Sequence, residues 1–233
     1  MRRAVLVIAW LLVAGWAGVA EARAPVVVEL FTSQGCSSCV AADKLLDGMA
    51  DRPGVLALTL AVDYWDYLGW SDTFARPEFT ARQRAYMQRL ARREVYTPQI
   101  VVNGGRETAG ADQDKIDALI RQAQRARTDA PKIRLMRHAK VFVGAGRAPK
   151  GGADVWLVRY DPRAQEILVK TGENHGKTLV QRNVVRVLTR LGAWRGKAKV
   201  YALPPAGADS ARLKTCILVQ GTDGGRILAV AQK

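Results

Sequence analysis

Cys36 and Cys39 are the residues of this chain whose type and spacing most directly suggest chemistry. Two thiols separated by two residues can exchange disulfides, because one thiolate attacks a disulfide and the other resolves the mixed disulfide that forms. Helical spacing begins at Cys36, and the first turn of a helix has unpaired N–H groups and a positive dipole end that favour a thiolate. The sequence therefore predicts Cys36 as an accessible nucleophile and Cys39 as the resolving thiol.

A second stretch, around Thr97 and Pro98, offers a structural partner for the thiol pair. Pro98 precedes an apolar, strand-like run, and Asn103 with Gly104 supplies the turn of a hairpin. Proline suits the first residue of a strand, and a bond before proline is where a cis peptide is tolerated. The pattern predicts a proline-led strand that returns as an antiparallel neighbour.

The elements that must position these residues alternate between strand-like and helix-like segments, which is typical of a sheet covered by helices. The predicted segments are 26–31 (strand), 36–50 (helix), 55–62 (strand), 78–93 (helix), 99–103 (strand) and 112–127 (helix). This order resembles the thioredoxin fold. The resemblance implies that the Thr97–Pro98 bond is cis, that it faces Cys36, and that Thr97 and Pro98 align an incoming peptide or thiol.

The second half contains short apolar or alternating runs separated by glycine and proline, which favours a β-sandwich. Residues 184–191 are ambiguous and could instead form a helix. We therefore predict an α/β thioredoxin-like domain over residues 23–130, with a helical insertion near 65–95. An all-β sandwich-like C-terminal domain follows over residues 131–233.

The N-terminus has the pattern of an export signal over residues 1–22, with two arginines, an apolar stretch and small residues before the expected cleavage site. An uncleaved anchor is the alternative, but the apolar run is short for a span of about 20 residues. In an oxidising compartment a paired cysteine motif can hold a stable or a cycling disulfide. The predicted location is the periplasm or the cell exterior.

Six strings along the chain carry a further resemblance. They are ELFTSQGCSSC (29–39), VDYWD (62–66), LGW (68–70), YTPQ (96–99), GENHGKTL (172–179) and NVVR (183–186). Together they look like one exported bacterial family, the domain of unknown function 1223, which is regarded as thioredoxin-like. The resemblance spans nearly the whole chain after the predicted signal. It implies a thioredoxin-like fold without a settled activity.

Four further residues are candidates for a role at the thiol site. Asp63 follows the second strand, whose end should share a crevice with Cys36, so it could serve Cys39 as a general base. Trp65 and Trp70 could form an apolar platform for a substrate, although turn and core roles explain these three residues equally well. Glu29, on the strand that leads to the thiols, could be a buried acid that shuttles a proton to the resolving cysteine, as an acid on the corresponding strand does in thioredoxins.

The chain is strongly basic, with a formal net charge of +15, and its arginines cluster around residues 82–93 and 121–137. Such clusters can attract anionic surfaces weakly, although solvated helix faces are the simpler interpretation. Aromatic residues do not interleave the basic runs, so we predict no nucleic-acid partner. Cys216 lies in an apolar run and is predicted to be a buried free thiol, with pairing to Cys36 or Cys39 as the alternative.

The leading functional prediction is a thiol-disulfide oxidoreductase that needs no cofactor and acts on a protein or small thiol or disulfide substrate, with a redox partner in the envelope. Two adjacent thiolates also bind soft Cu(I), but neither histidine lies in the thioredoxin-like half to provide a third ligand. In a third interpretation the disulfide only closes a loop, and the β half is a non-catalytic binding module. A loop this short should stabilise the fold only modestly.

Overall fold

The structure is a computed structural model that describes residues 24–126, 129–207 and 211–233. The predicted export signal over residues 1–22 lies outside the described residues. In the described part of the chain, no helix has both the length and the apolar character needed to cross a membrane.

The first half contains the predicted alternation of strands and helices. Its elements are β1 (Val26–Thr32), α1 (Cys39–Met49), β2 (Val55–Ala61), a 3₁₀ turn (Asp66–Leu68), α2 (Pro77–Arg89), β3 (Gln99–Val102), β4 (Arg106–Ala109) and α3 (Gln113–Arg125). Every residue of β1 and β2 is buried, as expected for apolar runs in the middle of a sheet. Pro77 opens α2, and the Asp112 side chain caps α3 by accepting from the Lys115 amide.

The second half of the described chain is built mainly of strands. They are β5 (Ile133–Met136), β6 (Lys140–Val143), β7 (Ala153–Asp161), β8 (Gln165–Leu168), β9 (Thr178–Gln181), β10 (Val184–Trp194), β11 (Lys199–Ala202), β12 (Lys214–Gly221) and β13 (Ile227–Gln232). The ambiguous run from residue 184 is therefore a strand, because β10 pairs along its length with β7.

One eight-stranded mixed sheet runs through both halves, in the order β13-β12-β7-β10-β2-β1-β3-β4. The halves join where Val184 of β10 pairs in parallel with Thr59 of β2. Asn183 reinforces the joint, because its carbonyl accepts from the Thr59 amide at 3.1 Å and its side chain donates to the Ala57 carbonyl at 2.9 Å. The predicted picture of a sheet followed by a separate sandwich therefore differs from the structure, in which four later strands extend the first sheet.

Two smaller antiparallel sheets complete the fold. The three-stranded sheet β11-β6-β5 packs over the outer strands of the large sheet, where Trp194 is one of the largest buried side chains. The β8-β9 hairpin lies against α1. The protein is thus a mixed α/β structure. Strands β7, β10, β12 and β13 of the second half belong to the same sheet as the strands of the first half.

The alternation of side chains along β1 assigns them to two cores on opposite faces of the sheet. Val28 and Leu30 pack with residues of α1 and α3, whereas Val27 and Phe31 pack with residues of α2 and of the later strands. The chain leaves β1 at Thr32 and reaches α1 at Cys39, so the thiol motif lies at the end of β1.

Candidate functional site: a covered disulfide

Cys36 and Cys39 form a disulfide with their Cα atoms 5.4 Å apart, which confirms the predicted pairing. The Cys36 amide donates to the Ser33 carbonyl and the Cys39 amide donates to the Cys36 carbonyl, so the motif begins as a turn. Helix α1 starts at Cys39, three residues later than the spacing predicts. Cys36 therefore precedes the helix, and the helix dipole acts less directly on it than expected.

Two hydroxyl groups contact the Cys36 sulfur. Thr97 Oγ1 donates to Cys36 Sγ at 3.3 Å, and Ser38 Oγ lies 3.3 Å from the same sulfur. The Thr97–Pro98 peptide bond is cis, and β3 begins at the next residue. The cis bond that the thioredoxin resemblance implies is therefore present, and Thr97 contacts Cys36 through its side chain. Hydroxyl donors at this distance stabilise a thiolate.

Both cysteines are fully buried, with 0 % of the Cys36 and Cys39 residues exposed. The prediction of an accessible Cys36 is therefore wrong for this conformation. Burial arises because segments far away in the sequence fold over the disulfide turn, a tertiary effect that local spacing does not reveal. Ser37 and Ser38, between the two cysteines, remain exposed.

The loop after β2 holds one side of the disulfide turn through Gln34. Trp70 Nε1 donates to Gln34 Oε1 at 3.0 Å, and the Thr73 amide donates to the same oxygen at 3.2 Å. The main-chain amide of Gln34 donates to Asp72 Oδ2 at 2.7 Å. Trp70 is therefore close to the disulfide, as predicted, although it holds the turn through a hydrogen bond.

The two other candidates from this loop have different positions. A Cβ placed on Gly35 would lie 3.7 Å from the Trp65 Cβ, so Trp65 packs against the turn before Cys36. Asp63 instead accepts from Thr80 Oγ1 at 2.6 Å and is tied to α2. The structure thus brings Trp65 to the disulfide turn and engages Asp63 elsewhere.

The other side of the turn is held by residues 172–177, which we call the cover segment. Asn174 Nδ2 donates to the Gln34 carbonyl at 2.9 Å and to the Cys36 carbonyl at 3.1 Å. Glu173 Oε2 accepts from the Ser37 amide at 3.2 Å. In the sequence this string stands out only through the family resemblance, which does not indicate its contact with the disulfide turn. The sequence signal that could indicate such a contact is an asparagine that lies between two glycines in the loop joining two strands.

Asp43 is a buried acid on the same face of α1 as Cys39, one turn further along, and it is not among the site residues predicted from the sequence. Burial raises the pKa of Asp43 to about 7, the charge of Asp72 adds to the rise, and the Thr32 and Gln181 side chains partly oppose it. Gln181 Nε2 donates to Asp43 Oδ2 at 3.2 Å, while Asp43 Oδ1 has no hydrogen-bond partner among the described residues. An unpaired buried carboxylate oxygen is costly, so the protonated acid is favoured below about pH 7.

Glu29 does not lie at the thiol pair, contrary to the prediction. Its side chain faces the opposite side of the sheet from α1, because it alternates with Val28 and Leu30 along β1. There it forms a buried ion pair with Arg82 of α2, with Glu29 Oε1 2.6 Å from Arg82 Nε, and it also accepts from the Tyr86 hydroxyl. Arg82 is therefore a core residue and not part of a solvated basic face.

The third cysteine lies apart from this site, and the described residues offer no cluster of metal ligands. Cys216 is a buried free thiol, as predicted, and burial raises its pKa. Over the described ranges, no cluster of three or more His, Cys, Asp or Glu side chains is arranged to hold a metal ion. The third ligand required for a soft-metal site is thus not found in that part of the chain.

Fold and site together define a mixed α/β protein in which two cysteines separated by two residues form a buried disulfide beside a cis-proline. The family described as protein of unknown function (DUF1223) matches residues 27–220, and the chain belongs to this family. The chain is also similar to a protein from Agrobacterium tumefaciens with a known crystal structure, at 33% identity and a TM-score of 0.70. The similarity covers 90% of this chain and 94% of the other. No curated protein matches the chain.

Proposed function

We propose that the protein is an exported thiol-disulfide oxidoreductase whose residues 23–130 form a thioredoxin-like unit. The observation that carries the proposal is the contact between Thr97 Oγ1 and Cys36 Sγ beside the cis-proline. It supplies the feature that a reactive cysteine needs, a donor aimed at the sulfur. The strand order β2-β1-β3-β4, with α1 and α3 packed on one face, supports the thioredoxin-like assignment.

In the reducing direction, the Cys36 thiolate attacks one sulfur of a substrate disulfide, and the other substrate sulfur leaves as a thiolate. A mixed disulfide between Cys36 and the substrate results. Cys39 loses its proton to the ionised Asp43 carboxylate and attacks the Cys36 sulfur, which releases the second substrate thiolate and forms the Cys36–Cys39 disulfide. The substrate gains two electrons and the protein loses them. Asp43 takes the place that the sequence analysis gave to Glu29, because Asp43 lies on the same helix face as Cys39.

The test is the reduction potential of the Cys36–Cys39 pair in a glutathione buffer, together with turnover of a disulfide substrate. We expect a potential within the range of cycling dithiols, roughly −270 to −120 mV. A Cys39→Ala variant should accumulate mixed disulfides at Cys36, and a Cys36→Ser variant should accumulate none. A pair that stays oxidised below about −300 mV and turns over no substrate would refute the proposal.

A second candidate is a binding module with a structural disulfide, which the complete burial of both cysteines favours. Structural disulfides resist reduction by glutathione, whereas cycling ones do not. The same potential measurement therefore separates the two candidates. The structural alternative also predicts that the loss of Cys39 lowers stability without trapping any partner.

Export is part of the proposal because an oxidising compartment keeps such a pair available for exchange. Its support is the charge and hydropathy pattern of residues 1–22. Cell fractionation of the full chain, with the N-terminus of the product sequenced, tests it. We expect a periplasmic or secreted product that begins near residue 23.

A further inference from the structure

We infer that the cover segment, residues 172–177, is an inhibitory element that binds main-chain groups of the thiol turn in place of an extended polypeptide substrate and must withdraw before Cys36 can react. The inference rests on the proposed function, since a covered disulfide needs opening only if it exchanges. It assigns a role to the GENHGKTL string, which the chemistry of the thiol pair leaves unexplained. It also names the substrate class as a cysteine-containing polypeptide.

The cover segment contacts the disulfide turn that carries Cys36 and Cys39, here also called the thiol turn, through groups that resemble a peptide unit. The Asn174 amide donates to the carbonyls of Gln34 and Cys36, and the Glu173 carboxylate accepts from the Ser37 amide. These three partners on the thiol turn are all main-chain groups. A substrate main chain offers the same kinds of donor and acceptor, so an extended polypeptide can replace the cover. A small disulfide without amide groups cannot replace these bonds.

Asn174 is the single buried residue of the cover segment, and it is 0 % exposed. Lys177 Nζ donates to Asn174 Oδ1 at 3.0 Å and thereby holds the side-chain amide in its bound orientation. The Glu173 pKa is lowered by its hydrogen bonds to Ser37 and by the charge of Lys177, so the carboxylate stays ionised at neutral pH. The cover is thus held by polar contacts.

The cover segment lies at the tip of the β8-β9 hairpin, and two glycines bracket its contact residues. Gly172 and Gly176 both have φ of +77°, a conformation that other residues rarely adopt. Thr171 donates to the Gly69 carbonyl, which links the cover to the loop that holds Gln34 from the other side. Withdrawal breaks these hydrogen bonds but uncovers little apolar side-chain surface within the segment, which is typical of regions that open locally.

The first experiment measures access to the disulfide independently of any substrate. The oxidised protein is reduced with a water-soluble phosphine at neutral pH, quenched with a maleimide at successive times, and analysed by mass. Asn174→Ala removes two hydrogen bonds to the thiol turn, so we expect reduction about tenfold faster than in the wild type. His175→Ala is the matched control, because this neighbouring side chain is exposed, and its rate should be unchanged. Equal rates for Asn174→Ala and wild type, or an equal rise in His175→Ala, would overturn the inference.

Glu173→Ala is a second variant for the case in which Asn174→Ala does not fold, since the Glu173 side chain is exposed. Hydrogen exchange of the Ser37 amide reports the loss of its acceptor. We expect faster exchange in Glu173→Ala than in wild type, together with faster reduction by the phosphine. Unchanged Ser37 exchange and unchanged reduction would show that the segment does not control the turn.

The substrate class is tested with the reduced protein and two disulfides, a heptapeptide carrying a glutathione-capped cysteine and hydroxyethyl disulfide. We expect wild type to prefer the peptide by about fivefold, the effect of roughly one hydrogen bond, and Asn174→Ala to react faster with both disulfides while it keeps that preference, because both need the cover to withdraw. Equal rates in wild type would refute the polypeptide assignment. If neither disulfide reacts while the phosphine rates differ as expected, the segment controls access to the disulfide, but the oxidoreductase proposal fails and the polypeptide assignment fails with it. If both react and Asn174 has no effect on either assay, the cover role fails alone.

Discussion

Asp43 follows Cys39 by one helical turn, and both side chains lie on the buried face of α1. The acid therefore lies one turn from the resolving cysteine on the same helix face, and burial raises its pKa to about 7. Gln181, which donates to Asp43, comes from β9 in the second half of the chain. The environment of the resolving cysteine is thus built from both halves.

The raised pKa of Asp43 predicts how stability depends on pH. The Asp43 pKa is about 7 in the folded protein against an ordinary value of 3.8. Between these values the folded state holds a proton that the unfolded state has lost, so this group lowers the free energy of unfolding as pH rises, and the effect levels off above about pH 7. This decline should be absent in Asp43→Asn. Between pH 5 and pH 8 the free energy of unfolding of the variant should therefore rise by on the order of 2 kcal/mol relative to that of wild type.

Urea unfolding of the oxidised proteins at the two pH values measures this difference. Burial also raises the Asp72 pKa, to about 6, but Asp72 titrates in both proteins and its contribution largely cancels in the comparison. Asp47→Asn is the control for the removal of a carboxylate from the same helix, because the Asp47 side chain is more exposed than that of Asp43. An identical pH dependence in Asp43→Asn and wild type would show that Asp43 is ionised in the folded protein.

The Thr97 hydroxyl should stabilise the Cys36 thiolate in the reduced protein. In a Cys39→Ala background, Thr97→Val should raise the pKa of the Cys36 thiol by roughly half to one pKa unit, because it removes one donor to the sulfur. Thr97→Ser keeps the donor and should shift the pKa little. The ultraviolet absorbance of the thiolate as a function of pH measures both. Equal shifts in the valine and serine variants would contradict a role for the hydroxyl.

Glu29 should contribute to stability and not to redox chemistry. Glu29→Gln leaves the buried Arg82 guanidinium without its charge partner, which should cost about 3 kcal/mol or more in the free energy of unfolding. The double variant Glu29→Gln, Arg82→Met removes both charges and should recover part of that loss. The reduction potential of the thiol pair should stay at the wild-type value wherever the variants fold. A changed potential with unchanged stability would reverse this assignment.

Much of the first half could be predicted from the sequence because its signals are local. The strands β1 and β2, the helices α2 and α3, the paired cysteines and the proline before β3 all follow from hydropathy, spacing and residue type. The burial of Asp43 could also have been predicted, since this residue falls on the apolar face of the helix marked by Cys39, Leu46 and Met49. A charged residue on such a face indicates a buried titrating group.

The cover and the shared sheet could not be predicted in the same way, because they depend on contacts between distant residues. Asn174 lies 138 residues after Cys36, and no local pattern specifies that it binds the Cys36 carbonyl. The pairing of Val184 with Thr59 likewise depends on which edge strand is available once both halves have formed. Burial of Cys36 is a consequence of these distant contacts, which explains why spacing alone predicted an accessible sulfur.

The parallel joint between β2 and β10 has a consequence for attempts to dissect this protein. A fragment that ends at residue 126 would leave the apolar strand β2 at an open margin, with its backbone N–H and C=O groups free to recruit other chains. It would also lack Gln181 and Asn174, so its thiols would sit in different surroundings from those in the intact molecule. Kinetic constants measured on such a truncated fragment would describe an aggregation-prone polypeptide whose cysteines lack the covering contacts of the intact protein.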